Sequence, residues 1–128
     1  MNRKEARESV MKYVFQMDAQ KDFSIESADK FLTDNNFAAQ KDYAKNIIHA
    51  ICTNQEIIDN AINENSKGWP VTRMAKTDLA IVRLAACEIL YAEDVPKSVA
   101  INEAVELAKI YGGDQSPKFV NAILKNIG

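Results

Sequence analysis

The sequence has no apolar run near the ~20 residues needed to cross a bilayer, and the charged opening MNRKEARESV has no apolar signal-peptide centre. Three prolines and four glycines in 128 residues exclude collagen-like, linker-rich and turn-dense all-β chains. There are two cysteines, Cys52 and Cys87, each inside an apolar stretch and without a second cysteine or a histidine at ligand spacing. They read as free buried thiols rather than a disulfide or a zinc site. The lone histidine, His49, has no nucleophile-elbow context, and Gly112-Gly113 lacks the setting of a phosphate loop. Glu103 and Glu106 share a helix side, as many solvated acid pairs do. No catalytic constellation, metal cluster or cofactor motif emerges. A cytoplasmic binding protein, not an enzyme, is the expectation.

Apolar residues make up 47% and charged residues 27% of the chain, which suits one ordinary globular domain with a real core. The net charge of −2 argues against grip on nucleic acid by bulk electrostatics, yet it is unevenly spread. Residues 1–21 hold five bases against three acids, residues 22–64 three bases against eight acids, and residues 65–128 eight bases against seven acids. An anionic partner would therefore meet the N-terminal segment.

Apolar spacing is helical throughout. Ala6, Val10, Tyr13, Val14 and Met17 form one face of a helix from about Asn2 to Gln20, with Asn2 and Glu5 as a capping box. A shorter helix around Ile25, Ala28, Phe31 and Leu32 ends at Asn35-Asn36, and a long one runs from Ala38 to about Asn63. Asn65-Ser66-Lys67-Gly68 breaks the chain, Thr72 to Ala75 looks like one helical turn, and Thr77 to Tyr91 is apolar around most of its circumference and hence central. Arg83 and Glu88 on that helix are expected to satisfy one another's neighbourhood. Ser98 is read as the cap of the next helix, Gly112-Gly113 as its terminator, and Ser116-Pro117 as cap and first residue of the last. The reading is an all-α fold of about seven helices in one domain, divided into packed subdomains 1–65 and 66–128.

Two spots display cations beside aromatics. Arg3, Lys4 and Arg7 share an arc beside the apolar stripe of the first helix, with Phe15 close to it, and Lys118 adjoins Phe119 at the start of the last. The plain reading is solvated surface; the sharper one is a small RNA site, in which cations hold phosphates and rings stack on bases.

The second half reads Trp69-Pro70, then Asp78-Leu-Ala-Ile-Val-Arg83-Leu-Ala-Ala-Cys-Glu88, then Val95-Pro96 and Ser98-Val-Ala-Ile-Asn-Glu-Ala-Val-Glu-Leu-Ala-Lys109, then Ser116-Pro-Lys-Phe-Val-Asn121. These motifs, with the opening Arg3-Lys4-Glu5-Ala6-Arg7-Glu8 and Phe15-Gln16-Met17-Asp18, closely resemble the NusB family of bacterial transcription antitermination factors. The resemblance implies an all-helical, NusB-like fold of two packed subdomains. It implies pairing with NusE, a small-subunit ribosomal protein, and binding of the pair to boxA RNA in ribosomal RNA leader transcripts. That complex helps RNA polymerase resist termination. Carried over by motif, Arg3, Lys4, Arg7, Phe15, Lys118 and Phe119 would face RNA and Asp78 would face NusE. A homodimer is compatible with it, since some relatives pair through the RNA-facing surface and others are monomers. Glu5, Phe15 and Ala122 depart from the family's usual basic residue, tyrosine and glycine. Two other readings stand beside this one. One is a helical protein–protein adaptor in which Arg3, Lys4 and Arg7 only solvate a surface. The other is an RNA-binding domain like those fused to RNA cytosine methyltransferases, against which weighs the expectation that the chain ends at Gly128 without a glycine-rich cofactor loop.

Overall fold

A computed structural model describes all 128 residues. Six α-helices follow one another: α1 (Arg3–Gln20), α2 (Ile25–Asp34), α3 (Lys41–Glu64), α4 (Lys76–Tyr91), α5 (Lys97–Tyr111) and α6 (Ser116–Leu124). Short 3-10 turns at Ala38–Gln40 and Val71–Arg73 precede α3 and α4. The expected seven are these six helices plus the turn before α4. No helix is long and apolar enough to cross a membrane.

The capping box is present at α1: the Glu5 N–H donates to Asn2 Oδ1 at 2.8 Å, and the Asn2 N–H donates to Glu5 Oε1 at 2.9 Å. Each closes a donor that the first helical turn leaves free. The long third segment is bent. Asn54 leaves helical geometry (φ −118°, ψ 22°), and its side-chain amide donates to the Ala50 carbonyl at 3.0 Å. Two expected caps act elsewhere. Ser98 lies inside α5, whose preceding residue is Pro96, and caps nothing. The Ser116 hydroxyl accepts from the Gly113 N–H at 2.9 Å, so it closes the α5–α6 connection rather than the start of α6. That connection requires glycine at 112, where a Cβ would come within 2.5 Å of Ser116 Cβ and Oγ.

Helix α4 is the axis of the molecule. Every residue from Leu79 to Glu88 is buried, and α1, α3, α5 and α6 all pack on it. A single core of 31 buried residues runs from Ala6 to Ile127 across the break at residue 65. Helix α4 carries two charges inside this core, Arg83 and Glu88, and they do not serve one another. Five residues apart, they point about 140° apart around the helix. Arg83 Nε and Nη2 donate to the two carboxylate oxygens of Asp59 on α3, each at 2.8 Å, and its Nη1 donates to Asp18 Oδ1 on α1 at 2.9 Å. Lys76 Nζ lies 3.3 Å from the other Asp18 oxygen. Glu88 accepts instead from Arg7 of α1, at 2.8 and 2.9 Å, and from the Tyr43 hydroxyl of α3 at 2.9 Å. Each charge therefore ties both N-terminal long helices to α4.

Partial burial works to raise the Asp18 carboxyl pKa, but hydrogen bonds from Arg83 and Lys76 outweigh it and hold the group below its ordinary value of 3.8. A depressed carboxyl contributes stability that is present above its unfolded pKa and lost as pH falls through the folded one. Denaturant unfolding followed against pH should show stability falling from about pH 4 downward, with a flatter profile for Asp18→Asn.

Candidate functional site

The seven expected site residues divide into three settings. Lys4 on α1 and Lys118 on α6 are exposed, with no carboxylate within ion-pair distance. Phe15 on α1 is 40% exposed and presents its ring to solvent. Arg3 is half-buried: its Nε donates to Gln40 Oε1 at 2.6 Å, and its guanidinium lies 4.3 Å from the centroid of the Tyr43 ring. These four keep cationic or aromatic surface outward.

Arg7 does not. It is 4% exposed, and its guanidinium is spent on the fork to Glu88 and a further contact from Nη1 to Glu103 Oε1 at 3.4 Å. Burial would lower its pKa, yet the hydrogen bonds to Glu88 outweigh that and hold the group charged, above its ordinary range. Tyr43 is pushed well above the ordinary phenol value by burial and then by the Glu88 charge, so it stays protonated and donates. An RNA-facing Arg7 is therefore corrected to a buried tether. The pattern carried a sign of this, since Arg7 stands four residues before Met11 and seven before Val14, on the apolar stripe itself. Glu103, expected on a solvated face, closes the same cluster.

Asp78 and Phe119 belong to one groove. Its volume is about 910 Å³, and Trp69, Arg73, Met74, Gln115 and Ser116 also line it. Arg3, Lys4 and Phe15 do not. Phe119 is half-buried, with part of its ring packed on the core. Trp69, 49% exposed, and Arg73 were missed as site residues, although a lone tryptophan beside a proline in a helix break is a visible signal of display. Asp78 sits in the first turn of α4, where the helix dipole favours a carboxylate. Its Oδ1 is buried and has no hydrogen-bond donor from the chain. Such an oxygen costs free energy until a donor reaches it.

The remaining reactive groups are quiet. Burial pushes the Cys87 thiol up to about 12 and the Cys52 thiol up to about 11, opposite to the shift that activates a cysteine. His49 Nε2 lies 2.6 Å from Asp29 Oδ1, joining α3 to α2. No three His, Cys, Asp or Glu side chains are grouped to hold a metal. The arrangement suits docking of polar and anionic partners, not bond-making.

The sequence matches the NusB family over residues 4–128. It is 46% identical over 125 residues to the transcription antitermination protein NusB of Alkaliphilus oremlandii, covering 97% of this chain and 91% of that protein. Against the same protein of Clostridium novyi it is 42% identical over 130 residues, with 99% and 98% covered. A solved structure of T. maritima NusB superposes with a TM-score of 0.88 at 34% identity, over 99% of this chain and 90% of that one.

Removing one member of a buried ion pair typically costs about 3–5 kcal/mol, whereas exposed substitutions stay within about 0.5 kcal/mol. Arg7→Ala should therefore lower unfolding free energy by about 3 kcal/mol or more, and Lys4→Ala and Lys118→Ala should barely move it. A near-neutral Arg7→Ala in denaturant titration would return Arg7 to the surface.

Proposed function

The chain belongs to the NusB family, and we propose on that basis that it acts in transcription antitermination by binding boxA RNA of ribosomal RNA leader transcripts together with NusE. It works as a binding protein within the RNA polymerase antitermination complex, without catalysis. The RNA face is Lys4, Arg3 and Phe15 on α1 with Lys118 and Phe119 on α6: the cations meet phosphates, and the rings stack on bases. Arg7 serves that face from inside by fixing α1 on α4.

The observation that carries the partner half is the Asp78 carboxylate. Asp78 lines a groove that also displays Trp69 and Phe119; its Oδ1 is buried without a donor, and its Oδ2, which is not buried, has no donor from this chain either. A cationic or N–H donor from NusE would pair with the accessible carboxylate oxygen, and the Trp69 ring supplies an apolar anchor of the kind protein interfaces concentrate. The same groove makes sense of a shared RNA site. A protein of net charge −2 with so few free cations near its aromatics holds RNA weakly alone, so a basic partner must add phosphate contacts.

Fluorescence anisotropy of labelled boxA and scrambled RNA, with and without NusE, tests the reading. BoxA should bind more tightly than scrambled RNA, and only when NusE is present. Equal weak binding of both RNAs in every mixture sinks it; NusE capture without RNA capture would leave the adaptor reading. Asp78→Asn should change stability by less than about 1 kcal/mol, since the lost dipole interaction is offset by relief of the orphan charge. It should weaken NusE binding about tenfold or more, the scale of one charge-assisted hydrogen bond. Isothermal titration with NusE and thermal melting of the free variant separate the two effects.

A further inference from the structure

A second cleft, of about 670 Å³, lies between α2 and the start of α3, away from the groove that holds Asp78. Lys41, Lys45 and His49 line one wall, four residues apart in turn, so they form a single row over about 12 Å of helix. Asn35, Asn36 and Thr33 face them. The two lysines are exposed, and no carboxylate lies within ion-pair distance of either. That is unexpected in the most acidic third of the chain, where eight acids outnumber three bases.

Four of those eight acids are taken by other groups. Asp22 accepts from Ser24 and Ser27, Asp34 pairs with Lys30, and Asp59 with Arg83. Asp29, the one carboxylate in the cleft, is taken by His49. Asp42 lines the neighbouring groove with Arg3 instead. What remains in the cleft is two lysines without an ion-pair partner, set one helical turn (about 6 Å of backbone rise) apart, with amides and a hydroxyl opposite.

The cleft adjoins the RNA face. Arg3 donates to Gln40, the residue before Lys41, and the turn at Ala38–Gln40 separates the two surfaces, with Ala38 lining the cleft and Ala39 the groove that holds Arg3. Ala38 has a left-handed backbone (φ 49°), held by its N–H donating to Asn36 Oδ1 at 2.9 Å. An alanine in that conformation is strained and persists only where its surroundings enforce it.

We propose that this cleft is a phosphate-binding extension of the RNA site, in which Lys41 and Lys45 hold two backbone phosphates of single-stranded RNA flanking the segment seated on α1 and α6. The proposal rests on the RNA-binding reading above. The buried Phe37 and half-buried Leu32 of the cleft offer no exposed ring for a base, so the extension reads charge and not sequence.

The test uses the full chain with NusE and three labelled RNAs: boxA alone, boxA lengthened by about six nucleotides of arbitrary sequence at its 5′ end, and boxA lengthened likewise at its 3′ end, the scale of a single-strand binding site. The slope of log affinity against log salt is read for each. One of the two lengthened RNAs should be steeper than boxA alone by about 1.4, two phosphates at ~0.7 each. Lys41→Ala with Lys45→Ala should erase that increment and leave the slope for boxA alone unchanged. Lys67→Ala, roughly 36 Å away beyond the far end of α3, should leave the increment intact. No increment from either end, or one that survives the double substitution, overturns the extension while the RNA-binding reading stands. Failure of boxA alone to bind overturns both.

Discussion

The interior of this protein must accommodate an arginine and a glutamate on one buried helix. An unpaired charge in such a place costs several kcal/mol, so α4 can be central only if other elements bring the opposite charges to it. Helix α1 does so twice, with Asp18 at Arg83 and Arg7 at Glu88, and α3 brings the Asp59 carboxylate to Arg83 and the neutral Tyr43 hydroxyl as a donor to Glu88. Hydrophobic burial is nondirectional and would tolerate α1 sliding or turning on α4. Forked guanidinium–carboxylate bonds at 2.8–2.9 Å would not. The two clusters fix position and rotation where the apolar stripe alone fixes only the face.

Function inherits that geometry. With Arg7 turned inward, its neighbour Lys4 faces out, and Arg3 lies over the ring of the same Tyr43 that donates to Glu88. A short chain of contacts thus leads from the core glutamate to the cationic surface. At the other end of α1, Asp18 bridges Arg83 to Lys76 in the first turn of α4, two residues before Asp78. The groove that holds Asp78 and the cationic surface of α1, proposed above as the partner and RNA surfaces, are consequently anchored to one helix.

Much of this was legible in the residues. The capping box at Asn2 and Glu5, the apolar circumference of Thr77 to Tyr91 and the break at Asn65–Gly68 are local patterns, and a helical wheel reads them well. What a wheel gives is a face, not the partner across from it. Arg7 and Glu88 are 81 residues apart, and Arg83 and Asp18 are 65 apart; no spacing along one helix shows such pairs. Hence Arg83 and Glu88 looked like companions and Arg7 like surface. Ser98 and Ser116 were good capping residues by type, but the helix starts are set by Pro96 and by the tight Gly112–Ser116 turn. The bend at Asn54 has a local cause, an amide competing for a backbone carbonyl, that an asparagine in mid-helix suggests only weakly. That Asp78 and Phe119 share a groove depends on α4 packing against α6, which is tertiary information.

Arg7, buried against Glu88, is proposed to support the RNA face without touching RNA. The most direct measurement is the salt dependence of boxA binding, in the presence of NusE, by a triple variant in which Arg7→Met, Glu88→Leu and Tyr43→Phe replace the whole buried polar group with apolar side chains. Such replacements of whole buried pairs are often neutral for stability. The account predicts a slope of log affinity against log salt equal to that of the unaltered protein, while Lys4→Ala lowers it by about 0.7, one phosphate contact. A slope reduced by the same amount in the triple variant would place Arg7 on the RNA.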